Sequence, residues 1–230
     1  MYRSIVLVHV AFGVVALMTY WLAGLSRKGS PLHKGAGKVY LLSMIGIVAT
    51  SLVLAGFALS REMYVIGTFL AYLVVITSTS MGLGWLAIRR KRDQMAFRSV
   101  GYRVAGVFNV VSGLATFVFG VQQGEALLMG FSWVGIILGS QMLWRAWKPL
   151  DEQKWWLREH IGAMLGCGVA THIAFLGIGI KRVTETLGLQ VDLGLAAWFA
   201  PLAVSAMAGV WLSRKYLSKP APKAAARAAA

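Results

Sequence analysis

The sequence predicts an all-α fold: a polytopic transmembrane bundle of seven spans, with the N-terminus outside and the C-terminus in the cytoplasm. Three observations predict it. Of the 230 residues, 58% are hydrophobic and 13% charged, whereas a soluble domain averages about 45–50% apolar and about 25% charged. Apolar runs of about 20 residues recur, the length needed to cross roughly 30 Å of hydrocarbon. The cations, finally, cluster in short loops, at the ends of the apolar runs and in the tail, and they alternate in density from one side to the other.

The first span is Ile5–Leu25, too long for the apolar region of a cleavable signal. The second ends at Leu59 and begins early, at Ser30-Pro31, because serine is a good N-cap and proline fits the first helical position. The third is Met63–Ile88, the fourth Gly101–Gly120 and the fifth Glu125–Trp147. The sixth carries a polar inner extension from Asp151 and reaches Ile180; the seventh is Leu193–Ser213. Nineteen Lys and Arg fall after spans one, three, five and seven, against four on the other side. This split sets the orientation by the positive-inside rule, and the formal net charge of +15 needs no nucleic acid to explain it. The expected setting is a bacterial inner membrane, with lipid as the surrounding partner. Residues 1–217 form one domain, since the helices have no core except each other. Residues 218–230, rich in Ala, Pro and Lys, read as a disordered basic tail near anionic lipid.

Several tryptophans (Trp21, Trp85, Trp144, Trp147, Trp155, Trp156 and Trp211) fall near inner helix ends, as an interfacial belt would. The single cysteine, Cys167, excludes a disulfide framework and reads as a small buried apolar residue. Asn109 and Gln141 lie near mid-membrane and read first as interhelical glue, with the lining of a quinone or substrate cavity as the alternative. Gly135-x-x-x-Gly139 and Gly162-x-x-x-Gly166 are close-packing motifs that also permit a homo-oligomer.

Four histidines carry the functional argument, because no carboxylate lies inside any apolar span and ionisable groups there are costly. His9 and His172 belong to the outer halves of spans one and six. His33 and His160 lie near inner ends. Twelve residues separate His160 from His172, about 18 Å along the axis, and turn them by about 120°. One mononuclear site cannot use both; two sites, one per leaflet, can. Depth pairs His9 with His172 and His33 with His160. Two neutral imidazoles are a common ligand set for low-spin haem b, so all four are candidate cofactor-binding and metal-ligating residues for one or two haems. The expected function is electron transfer from a quinol or small reductant, as in a membrane oxidoreductase. Lys34, Lys38 and Arg158 could meet inner propionates, and Arg3, Lys181 and Arg182 outer ones. A plainer reading makes His33 and His160 interfacial, places His9 among headgroups, and satisfies His172 by a hydrogen bond to a neighbouring helix. Three other classes stay open: a transporter with a histidine relay, a metalloenzyme using Glu159, and a non-catalytic assembly protein.

Two stretches resemble a widespread family of uncharacterised bacterial integral-membrane proteins. One runs from His9 through Arg27-Lys28-Gly29-Ser30-Pro31-Leu32-His33-Lys34-Gly35-Ala36-Gly37-Lys38-Val39-Tyr40 to Met44. The other is Trp156-Leu157-Arg158-Glu159-His160-Ile161-Gly162-Ala163-Met164, followed by Ala170-Thr171 and Ala174-Phe175. That resemblance implies a membrane bundle. The first stretch is also similar to transmembrane b-type cytochromes of the 561 class, which implies histidines at both membrane faces holding two haems. The family pattern does not require a histidine at position 172.

Overall fold

The computed structural model describes residues 2–148, 153–189 and 193–217. The tail beyond residue 217, and Asp151 and Glu152 at the start of the sixth span's extension, lie outside the described residues. Among the described residues nine α-helices run in order: α1 Tyr2–Leu25, α2 Pro31–Leu59, α3 Tyr64–Arg89, α4 Gln94–Phe97, α5 Val100–Gln123, α6 Ala126–Trp147, α7 Trp155–Ala174, α8 Ile180–Thr186 and α9 Ala196–Tyr216. A π-helical turn, Phe175–Gly179, joins α7 to α8. Seven segments are long and apolar enough to cross a membrane, so the chain is built as an integral membrane protein. They agree in number and order with the seven spans read from the sequence. The fourth starts earlier, since α4 and α5 make one segment over Gln94–Gln123.

Local chemistry sets the ends. Ser30 caps α2, its hydroxyl accepting from the His33 amide, and Pro31 follows at the first position. Gly124 adopts the left-handed conformation after α5, with φ 68°, and turns the chain directly into α6. Asp93 caps the short α4 through the Ala96 amide.

The centre is built around α3, which packs against α2, α5, α6 and α7; α1 leans on α2 and α9 on α7. Three apolar clusters fill it. Leu83, Ala87, Phe97, Tyr102, Met142, Trp155 and Ala163 form the core at the end carrying the 26–30 and 90–99 loops, hereafter the cationic end. Phe69, Tyr72, Ile76, Leu128, Phe131 and Ile173 form the opposite core. Between α1, α2 and α7 lie Ala16, Tyr40, Met44 and Cys167. Trp155 therefore belongs to the core, at 7% exposure, and not to the interfacial belt. Trp85, Trp144 and Trp211 do lie exposed, each beneath a cation: Arg89, Lys148 and Lys215.

The tightest pairing, α5 on α6, depends on backbone approach. A Cβ on Gly139 would overlap the Gly106 carbonyl, and one on Gly113 would stand 2.9 Å from the Ser132 carbonyl. The Tyr72 hydroxyl donates to the Ser132 carbonyl at 2.8 Å and accepts from the Gly135 amide at 2.9 Å, which leaves no room for a Gly135 side chain. The Gly135/Gly139 motif is thus an intramolecular packing device. Gly162 faces open space, while Gly166 lies near Ser80. Asn109, fully buried, donates to Thr79 Oγ1 of α3 at 2.8 Å, the interhelical role expected of it. Gln141 instead points outward and accepts only from Arg145 of its own helix. Cys167 is buried, as expected.

Candidate functional site

Ala23 lies in the last turn of α1, where carbonyls lack intrahelical partners. His33, in the first turn of α2, places its Nδ1 2.9 Å from the Ala23 oxygen. Lys28 Nζ donates to the same oxygen at 3.2 Å and to the Gly24 oxygen. His33 therefore helps to cap α1 as well as facing the bundle. Burial, and then repulsion from Lys215, pushes the Lys28 ammonium below the usual lysine range.

His160, in the second turn of α7, reaches α3 and places its Nδ1 3.1 Å from the Gly84 oxygen. The His33 and His160 rings come within 6.5 Å centroid to centroid, at an interplanar angle of 77°. Of the two pairings expected from depth, the structure brings this one together.

The second pairing is not formed. His172 contacts Tyr20 and Trp21 of α1, with ring centroids 5.2 and 5.5 Å away. Those residues lie eleven and twelve positions beyond His9, about 17 Å along the helix. Two causes combine. α7 stands displaced along α1, locked by the Tyr20 ring against Gly168, where a Cβ would overlap it. The His172 ring also folds back along its own helix, as helical side chains do, with Nδ1 2.7 Å from the Gly168 oxygen. His9 meets Thr50 of α2 instead, Nδ1 to Oγ1 at 2.8 Å.

Hydrogen-bond arithmetic fixes the tautomers. A carbonyl oxygen only accepts, so His33, His160 and His172 each donate from Nδ1–H. The Thr50 hydroxyl already donates to the Gly46 or Ile47 oxygen, so it accepts from His9 as well. In each neutral ring the lone pair then resides on Nε2, the arrangement that readies a histidine to ligate a metal. The Nε2 of His172 is buried and has no hydrogen-bond partner among the described residues.

The other candidate groups are engaged elsewhere. Glu159, 7% exposed, takes both carboxylate oxygens to Arg145 Nη1, at 2.9 and 3.1 Å. Among the described residues, no group of three His, Cys, Asp or Glu could hold a metal ion, so the donor set here is a pair of imidazoles. Lys34 and Lys38 are exposed on the first two turns of α2. Gly37, one turn beyond His33, has no atom within 4 Å of a Cβ position, which leaves space along that face. On the His160 side the equivalent place holds Met164, whose methyl presses onto Gly84.

Sequence reasoning missed the backbone anchors of the histidines and the aromatic contacts of His172. Ala23 could have been found from the orphan carbonyls of a helix end. Tyr20 gave no signal, because its role depends on how far α7 slides along α1.

Compared with family models, with curated proteins and with solved structures, the chain finds no match in any of the three.

Proposed function

We propose that His33 and His160 would hold one haem b near the cationic end of the bundle, and that the protein is a one-electron carrier of the membrane. The observation that supports this reading is the ring pair itself. Imidazoles from α2 and α7 stand 6.5 Å apart. Each is held through Nδ1 by a backbone carbonyl of another helix, with Nε2 left to bind. Two imidazoles on opposite sides of one metal stand roughly 6 Å apart, given metal–nitrogen distances of about 2 Å. A second-shell bond from Nδ1 to a carbonyl fixes ring orientation and raises ligand basicity. A haem held there would accept and release single electrons. Lys28, Lys34 and Lys38 would offer cations to its propionates. The expectation of two haems narrows to one, because His9 and His172 meet other partners.

The same reading takes the membrane to be a bacterial inner membrane and places the cationic end, with the C-terminus, in the cytoplasm. It takes a quinol or another small reductant as the electron donor. The likeness to the 561 class and to the uncharacterised membrane family enters here as part of the proposal. The test is a pyridine haemochrome assay on protein purified after expression with ample haem: about one haem per chain supports the reading, and none rejects it.

A histidine-relay transporter is the second reading. The buried Nε2 of His172 favours it, since an ionisable side chain inside an apolar span is the usual element of such a relay. Proton-coupled flux in vesicles, lost in His172→Leu, would select this reading over the first.

A further inference from the structure

Four consecutive cations, Arg89 to Arg92, close α3; Arg89, Lys91 and Arg92 are exposed, and the four line an open cleft at its end. The cleft has a volume of about 350 Å³ and is lined by Arg89, Arg90, Lys91, Arg92, Asp93 and Ala96. Its walls are fixed. Phe97, 1% exposed, anchors α4 in the core beside Ala87 and Trp155. The Asp93 carboxylate accepts from the Ala96 amide at 2.8 Å, and the Arg90 guanidinium donates to the Ala96 oxygen, so α4 is tied back to the end of α3 from both sides. The Arg89 guanidinium sits over Trp85, 5.8 Å from the ring centroid, and Lys91 Nζ sits over Trp156 at the same distance.

The charge of this cleft is unbalanced. It holds four cations and one carboxylate, and that carboxylate is occupied by a helix cap. The ion pair found among the described residues, Arg145–Glu159, involves none of them. Like charges held in one concavity repel unless an anion enters, and guanidinium groups favour the oxygens of phosphate. Apolar surface adjoins the cleft: Met95 is 79% exposed and Trp85 45%. A ligand with an anionic head and an acyl chain satisfies both. We infer that the Arg89–Arg92 cleft binds the phosphate headgroup of an anionic phospholipid, with Trp85 and Met95 against the upper acyl chain. The site is independent of the histidine pair.

The test uses purified full-length protein in uncharged detergent, titrated with dioctanoyl phosphatidylglycerol and followed by native mass spectrometry. Dioctanoyl phosphatidylcholine and inorganic phosphate serve as separate probes. The expected result is saturable binding of phosphatidylglycerol that phosphatidylcholine does not reproduce and equimolar phosphate does not displace. Arg89→Gln/Lys91→Gln/Arg92→Gln should weaken it at least tenfold. Lys219→Gln/Lys223→Gln/Arg227→Gln, which removes the same charge from the tail, should leave it intact. Equal binding of both lipids, full displacement by phosphate, or equal loss in the two triple variants would overturn the inference. Retention of the wild-type thermal transition in the cleft variant shows that it is folded.

Discussion

His172 rests edge-on against Tyr20, with ring centroids 5.2 Å apart and an interplanar angle of 75°, and this contact sets the level at which α7 meets α1. The imidazole is a polar group in an apolar place. Its Nδ1–H bonds back to its own helix, while its Nε2 is buried with no partner among the described residues.

A buried unsatisfied acceptor costs about 1–3 kcal/mol, and replacing it by an apolar group of similar shape is often neutral or favourable. His172→Leu should therefore leave thermal stability unchanged or raise it by up to about 1 kcal/mol. The Gly168 oxygen loses one bond but keeps its place in the helix ladder. A marked fall in the midpoint of thermal unfolding in detergent would show that Nε2 has a partner in the folded protein.

The Arg145–Glu159 pair should respond asymmetrically. Glu159 has 6% of its side chain exposed and Arg145 22%. Removing the arginine leaves a buried carboxylate without its hydrogen-bonded cation, with the charge of Arg98 still nearby, whereas neutralising the glutamate leaves a guanidinium that water can reach. Breaking a buried pair costs about 3–5 kcal/mol at the extreme. Discounted for the solvent around Arg145, Arg145→Met is expected to cost about 2–4 kcal/mol, and Glu159→Gln about 1–2. Equal losses in matched thermal scans would contradict the burial difference.

Glycine substitutions separate packing from propensity. Gly139→Ala drives a methyl into the Gly106 carbonyl and should cost about 1–3 kcal/mol, since α5 and α6 must part. Gly37→Ala meets open space and should gain up to about 1 kcal/mol from helix propensity alone. Gly37→Leu should fold normally yet lower haem content, because its side chain would fill the space beside His33. If Gly139→Ala proved as stable as wild type, the close approach of α5 and α6 would be in error.

Much of the bundle was legible in the sequence because its signals are local. Apolar run length gave the seven spans, Ser30-Pro31 gave the start of α2, and the charge of each loop gave the alternation of ends. The His33–His160 meeting was legible from depth, since both residues sit at helix ends on the same side. The His9–His172 pairing failed because depth was judged span by span, while contact depends on how α7 is shifted along α1. That shift follows from the Tyr20 ring lodging against Gly168, a tertiary fit with no period or motif. Trp155 was misplaced for a related reason: an interfacial position along its helix says nothing about which face turns inward.

The decisive measurement is a reduced-minus-oxidised spectrum of purified protein and of the four single variants His9→Ala, His33→Ala, His160→Ala and His172→Ala. A b-type haem spectrum is expected in the wild type, retained in His9→Ala and His172→Ala and lost in both His33→Ala and His160→Ala. A wild type without haem bands, or a spectrum that survives removal of either His33 or His160, would contradict the assignment of these two imidazoles as a ligand pair.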